Sequence, residues 1–196
     1  MKKRSAAATL LLAGLGTGMA HSSASGIKNP RAFALRLSDM PVGFTQSKSL
    51  ARSTAQAEKY DHLPKGTLVR HGRLAGYETE FKRSALLGMI DVDDTVLEYA
   101  GPMGAQWQMA RTMQQADKPF NGHRFHRMSI GSIGDQSVGY VVNAKSGGYN
   151  ITVYLIMFRR GQYPAQVEAD GLTGTFGPEA AVHLAHVIDN RIRSGA

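Results

Sequence analysis

From Ile151 to Phe158 apolar side chains fill both alternating sets: Ile151, Val153, Leu155 and Met157 on one side, Tyr154, Ile156 and Phe158 on the other. A strand apolar on both sides needs cover on both sides, so the pattern predicts a central strand. Arg159 to Gln162 punctuates the run as a turn, with Gly161 free to take a positive φ. Beyond it Tyr163, Ala165, Val167 and Ala169 alternate with Pro164, Gln166, Glu168 and Asp170, a strand with one wet face. Pro164 cannot donate to a ladder, which predicts that this strand begins there or lies towards an edge.

The period then changes. Ala181, Leu184, Ala185, Ile188 and Ile192 form one stripe of a helix over 178–193. Gly177 suits the N-cap, Pro178 the first helical position, Glu179 the positive end of the helix dipole, and Arg191 and Arg193 its negative end. Phe176 stands where a hydrophobic staple fixes the entry of the chain.

Earlier in the chain, Phe33, Leu35 and Leu37 alternate with Ala34 and Arg36, a corner at 38–44 carries Pro41 and Gly43, and 45–50 reads as a first sheet strand. A short helix over 51–59 and a loop over 62–73 follow. Ala75, Tyr77, Thr79 and Phe81 alternate with Gly76, Glu78, Glu80 and Lys82, a half-buried strand with a charged outer face. Residues 86–99 read as its partner. There the apolar parity changes from Ile90 and Val92 to Leu97 and Tyr99, which predicts a β-bulge at Asp93 and Asp94. A helix begins at Pro102, with Met103, Trp107, Ala110 and Met113 or Gln114 as its inner face. After a loop over 117–127 come a strand over 137–142 and a glycine turn at 145–148 into the central strand. The expectation is an α+β fold, a mainly antiparallel twisted sheet of about five to six strands with two main helices packed on it. No linker divides 31–196, which reads as one domain.

Composition adds an export signal. Lys2, Lys3 and Arg4 precede an apolar run from Ala6 to Leu15, with Gly18 and Ala20 placed for cleavage and a second position after Ala24. The run is shorter than the roughly 20 apolar residues of a membrane helix, so residues 1–20 read as a signal peptide and the mature chain as lacking a transmembrane anchor. Residues 21–30 read as a flexible mature terminus. The destination is periplasmic or extracellular, as in bacterial exported proteins. The chain has no Cys, which excludes disulfides, thiol catalysis and thiolate metal sites. Its formal charge of +8 includes the three basic residues of the export segment, leaving +5 beyond it, spread without a basic block. That balance suits a soluble basic surface and carries no specific nucleic-acid motif.

The corner Asp39 to Phe44, the strand entry Gly134 to Val138, and the ending Phe158 to Gly161 with the helix Ala181 to Ile192 resemble a set of small exported bacterial domains of unassigned function. The element order is more distantly similar to the PsbP-like α/β/α sandwich. The resemblance implies a non-enzymatic accessory or binding role and carries over no functional residue.

Candidate chemistry is sparse. Asp91, Asp93 and Asp94 form the densest carboxylate cluster, with Asp91 and Asp93 on one face of a strand, where hard cations or acid–base work would use them. The spacing is not that of a calcium loop, and the solvated edge of a bulged strand is the preferred explanation. His123 and His126 sit in a loop as ligand or metal candidates against a reading as loop polarity. His183 and His186 share a helix face without an HExxH pattern. Met103, Met109, Met113 and Trp107 fit core packing. No cofactor and no metal is expected. The preferred reading is an exported, non-catalytic binding or accessory domain, its partner a protein, an envelope component or a small ligand. The alternatives are a metal-assisted or hydrolytic enzyme using Asp91, Asp93 or Asp94 with His123 or His126, and an envelope-associated interaction protein.

Overall fold

The computed structural model describes residues 29–85 and 88–195. The expected signal peptide and most of the flexible terminus lie outside the described residues. Among the described residues seven strands form one antiparallel sheet: β1 Thr45–Ala51, β2 Arg73–Ala85, β3 Gly88–Tyr99, β4 His126–Met128, β5 Gln136–Ser146, β6 Tyr149–Arg160 and β7 Tyr163–Leu172. Their spatial order is β1-β2-β3-β7-β6-β5-β4. Four helices accompany them: α1 Thr54–Tyr60, α2 Thr67–Arg70, α3 Pro102–Ala116 and α4 Pro178–Ser194.

This corrects the expected five to six strands and two main helices, and strand residues outnumber helical ones. The missed strand, β4, has three residues, too few for any alternation to register. The missed helix, α2, is a single turn inside what reads as loop.

The two-sided apolar run is β6, which pairs with β5 on one side and β7 on the other. Ile156 and Phe158 join a core with Val92, Val96, Val167 and the buried stripe of α4, while Leu155 and Met157 pack on the opposite face with Met109 of α3. Pro164 is the second residue of β7, opposite Arg159, and the ladder to β3 begins only at Ala165. An interior strand therefore tolerates the missing donor.

α4 has Gly177 as N-cap, as its sequence predicts, and ends on Gly195 in the left-handed region. Asp189 accepts from both Arg160 Nε at 2.5 Å and Nη2 at 2.8 Å, and Arg191 grips Asp39 through two bonds of 2.8 Å. These pairs fasten α4 to the sheet and to the N-terminal segment, whose Phe33 and Leu35 are buried in the same core.

The opposite face is covered by α3, with α1 and α2 at its β2 end and the Phe120–Phe125 segment at the other. α3 buries Ala105, Met109, Arg111, Gln115 and Ala116, whereas Met103 and Ala110 are exposed. The predicted inner face was therefore rotated, because apolar spacing was followed and this helix turns polar side chains inward.

β3 has no bulge at Asp93 and Asp94. Its pairing with β2 runs unbroken from Ala75 opposite Glu98 to Ala85 opposite Gly88, and its pairing with β7 is also continuous. Ile90, Val92, Asp94 and Val96 stay on the α4 face throughout; Tyr99 is apolar on the other face because α3 covers it there. The apparent change of parity marks the point where the second face of β3 becomes covered.

Candidate functional site

The alternating polar residues of β2, β3 and β7 share one face, and pairing sets them in rows. Glu80 lies opposite Asp93, and Asp93 opposite Glu168. In the adjoining row Lys82 lies opposite Asp91, and Asp91 opposite Asp170. Directly opposed side chains stand about 5 Å apart at Cβ, and like charges so placed destabilise a sheet. The first of these rows floors a cleft of about 190 Å³ between the sheet and α3, walled towards the start of β2 by Arg52, Arg73 and Arg111, and the second row lies outside its lining.

Basic residues compensate only part of the floor. Glu78 accepts from Lys48 at 2.8 Å and Arg52 at 2.6 Å, and Lys82 reaches Glu80 at 2.5 Å and Asp91 at 3.7 Å. Burial works against ionised Glu78 and Glu80, but these bonds hold both below the usual carboxylate range. Asp93, Glu168 and Asp170 make no ion pair or hydrogen bond through their carboxyls among the described residues.

Burial first, then the charges of Asp93 and Asp170, push Glu168 up to about 8. Burial and the charge of Glu80 push Asp93 up to about 7, against the pull of Lys48. Burial and Asp91 push Asp170 up to about 6. Glu168 is only half-buried by its surface, yet it stands on the floor of a concavity where protein surrounds it and solvent arrives through the cleft.

Asp94 faces the other way. Fully buried on the α4 side, its carboxylate accepts from the Thr79 hydroxyl and from the Leu35 N–H at 3.4 Å. Burial outweighs these bonds and pushes it up to about 7.

These raised values fix a sign. The folded chain keeps protons on Asp93, Asp94, Glu168 and Asp170 that the unfolded chain releases above about pH 4, so stability falls as pH rises through the window from there to about 8. Chemical denaturation is expected to give a greater free energy of unfolding at pH 6 than at pH 8.5. Below about pH 4 the trend reverses as the carboxylates with lowered values, Glu78 and Glu80 among them, become protonated. Stability that climbs between pH 6 and 8.5 would contradict the crowding of the floor.

The far end of the cleft is rich in donors. Arg111 pairs with Asp61 at 3.1 Å, and the Tyr99 hydroxyl donates to Gln108 Oε1 at 2.9 Å. Arg73 Nη2 donates to the Arg52 carbonyl at 3.3 Å, while Arg73 Nη1 is buried without a partner; so is Gln115 Nε2, which belongs to the last turn of α3, towards the carboxylate row. The Arg73 guanidinium lies across Gly76, where any Cβ would overlap it.

The structure brings Asp91 and Asp93 together with Glu80, Glu168 and Asp170, and not with the histidines. His126 is on β4, four strands across the sheet from β3, and His123 is in the preceding loop; both are exposed. His183 and His186 flank a separate groove of about 540 Å³ between α4 and the β4–β5 edge. Among the described residues no three His, Asp or Glu side chains are grouped to hold a metal ion. Glu168, Arg73 and Gln115 were missed as site residues. Glu168 reads locally as solvated, and nothing in a sequence shows that a helical Gln is turned inward.

The class these elements define is a seven-stranded antiparallel sheet with helices on both faces and a polar cleft under one of them. No family model and no curated protein matches the sequence. The extracellular domain of PknH from Mycobacterium tuberculosis is similar in structure, with a TM-score of 0.55 and 10% identity over 83% of this chain and 94% of that one. A putative uncharacterized protein from Mycobacterium smegmatis is similar with a TM-score of 0.48 and 14% identity, over 85% and 98% of the two chains. The likeness to the PknH domain is one of fold. No helix among the described residues is long and apolar enough to cross a membrane.

Proposed function

We propose that the chain is an exported, non-catalytic binding domain and that the cleft between α3 and strands β2, β3 and β7 receives a small ligand. The observation that supports this reading most is the row Glu80–Asp93–Glu168, carboxylates opposed on three adjacent strands at a recess. Opposed like charges cost stability in every sheet, and a folded chain carries such a cost where a surface has work to do. Export is supported by the basic start and apolar run of the sequence and by the fold that the chain shares with an extracellular domain. The PsbP-like resemblance rests on element order and adds only that a domain of this build can serve without catalysis.

A second reading draws on the same floor. Asp93 and Glu168, two opposed carboxyls both raised towards neutrality, would suit general acid and base in a hydrolytic enzyme, without His123 or His126.

The test is a fragment library of polar molecules, followed by amide and carboxyl chemical shifts on the labelled chain from residue 29. Fragments are expected to shift Asp93, Glu168 and the α3 resonances without being chemically altered. A library that perturbs only the surface away from the cleft contradicts the binding reading; a fragment consumed over time favours the enzyme.

A further inference from the structure

The row Glu80–Asp93–Glu168 does not stop at Glu168. Opposite Glu168 on the next strand is Leu155, which is 5% exposed and packs with Met157, Ala116 and the partly buried Phe125. The sheet thus passes from carboxylate to hydrocarbon within one strand spacing of about 5 Å. Both sides of this junction line the same cleft. Asp93 and Glu168 make no ion pair among the described residues, and the basic side chains nearest the row, Lys48 and Lys82, are engaged by Glu78, Glu80 and Asp91.

Gln115, in the last turn of α3, covers this end of the cleft. It is 2% exposed, and its Nε2 has no acceptor. A buried donor left unpaired is costly, and an acceptor brought by a ligand removes that cost. The donor belongs to a helix and the carboxyls to strands, so they are separate observations that meet at one recess.

Resting on the binding reading, we propose that the ligand is a small amine that also carries a hydroxyl, its ammonium set over Asp93 and Glu168, its hydroxyl against Gln115 and its hydrocarbon body on Leu155 and Phe125. An ammonium gives the two crowded carboxylates the charge-assisted donors they lack and turns their repulsion into a shared attraction. A hydroxyl both accepts and donates, so it satisfies the Gln115 amide whichever way that amide is turned. At about 190 Å³ the cleft is smaller than the roughly 300–1,000 Å³ of sites for drug-sized molecules, which limits the ligand to a short one.

The probe is leucinol, an amine with a hydroxyl and a branched hydrocarbon body. Its controls are 4-methylpentan-2-amine, which lacks the hydroxyl, and 4-methylpentan-1-ol, which lacks the amine. Each is titrated into the labelled chain at neutral pH and low salt. Leucinol is expected to bind about tenfold tighter than either control and to shift Glu168 and Gln115 together. Glu168→Gln is expected to reduce its affinity to that of the alcohol, and Gln115→Leu to that of the amine. The first substitution removes a like charge and the second a buried donor without a partner. Both therefore leave the melting temperature unchanged or raised, and their loss of binding reports recognition rather than folding.

The amine control binding as tightly as leucinol overturns the hydroxyl contact, and the alcohol control doing so overturns the ammonium contact. If none of the three shifts the cleft, the inference fails, and the polar-fragment library decides whether the binding reading falls with it.

Discussion

Ile156→Asp is expected to leave the chain without a stable fold. Ile156 has no exposed surface, sits in the middle of β6 between β5 and β7, and packs into the core beneath α4. A carboxylate there meets neither water nor a partner, and the desolvation cost is on the order of 5 kcal/mol, comparable with the whole stability of a domain. Glu168→Gln, on β7 beside it, is the matched control. It faces the cleft and removes repulsion from Asp93 and Asp170, so its midpoint in denaturant should equal or exceed the parent's. Urea unfolding followed by circular dichroism compares the two; similar midpoints would show that β6 is not the two-sided centre of the sheet.

Gly104→Val is expected to have the second largest effect, because it separates the cleft's roof from its floor. Gly104 is in the first turn of α3, and a Cβ there would overlap the His71 carbonyl oxygen and lie 2.6 Å from the Tyr99 ring. Neither obstacle can withdraw easily, since Tyr99 is fully buried and His71 closes the turn after α2. Overpacking of this kind costs about 3 kcal/mol. The helix must tilt away from β3, carrying Arg111 and Gln115 with it, so ligand binding should be lost even where α4 and the opposite core persist. Hydrogen exchange reads this directly: faster exchange in α3 with protection kept in α4 is the expected pattern, and unchanged α3 protection would contradict it.

How much of this was legible in the sequence depends on how local each signal is. The β6–β7 hairpin and α4 were readable because their alternation, turn glycine, caps and stripe lie within a few residues of one another. The polar faces of β2, β3 and β7 were each readable as well. What could not be read is that they are one face of one surface. Asp91 pairs with Asp170 and Asp93 with Glu168 across a stretch that includes α3 and three further strands, and no local pattern announces that pairing. Taken singly, Glu80, Asp93 and Glu168 look like solvated strand residues; set opposite one another under α3 they become a cleft floor. The false bulge in β3 has a different source: α3, the next element, folds back over Leu97 and Tyr99, and a sequence pattern does not show which face a following helix will cover. The carboxylates Asp91 and Asp93 were picked out, but their neighbours are acids brought by β7 rather than His123 and His126, which the sheet order carries to its far edge.

The central claim is that the floor of this cleft is a crowded row of carboxylates, poorly compensated by the protein and held ready for a ligand. Site-resolved titration of the side-chain carboxyl carbons by nuclear magnetic resonance tests it most directly. The account predicts that Asp93 and Glu168 both titrate above about pH 6. Midpoints for both below about pH 5 would mean that the row is freely solvated and would contradict the account.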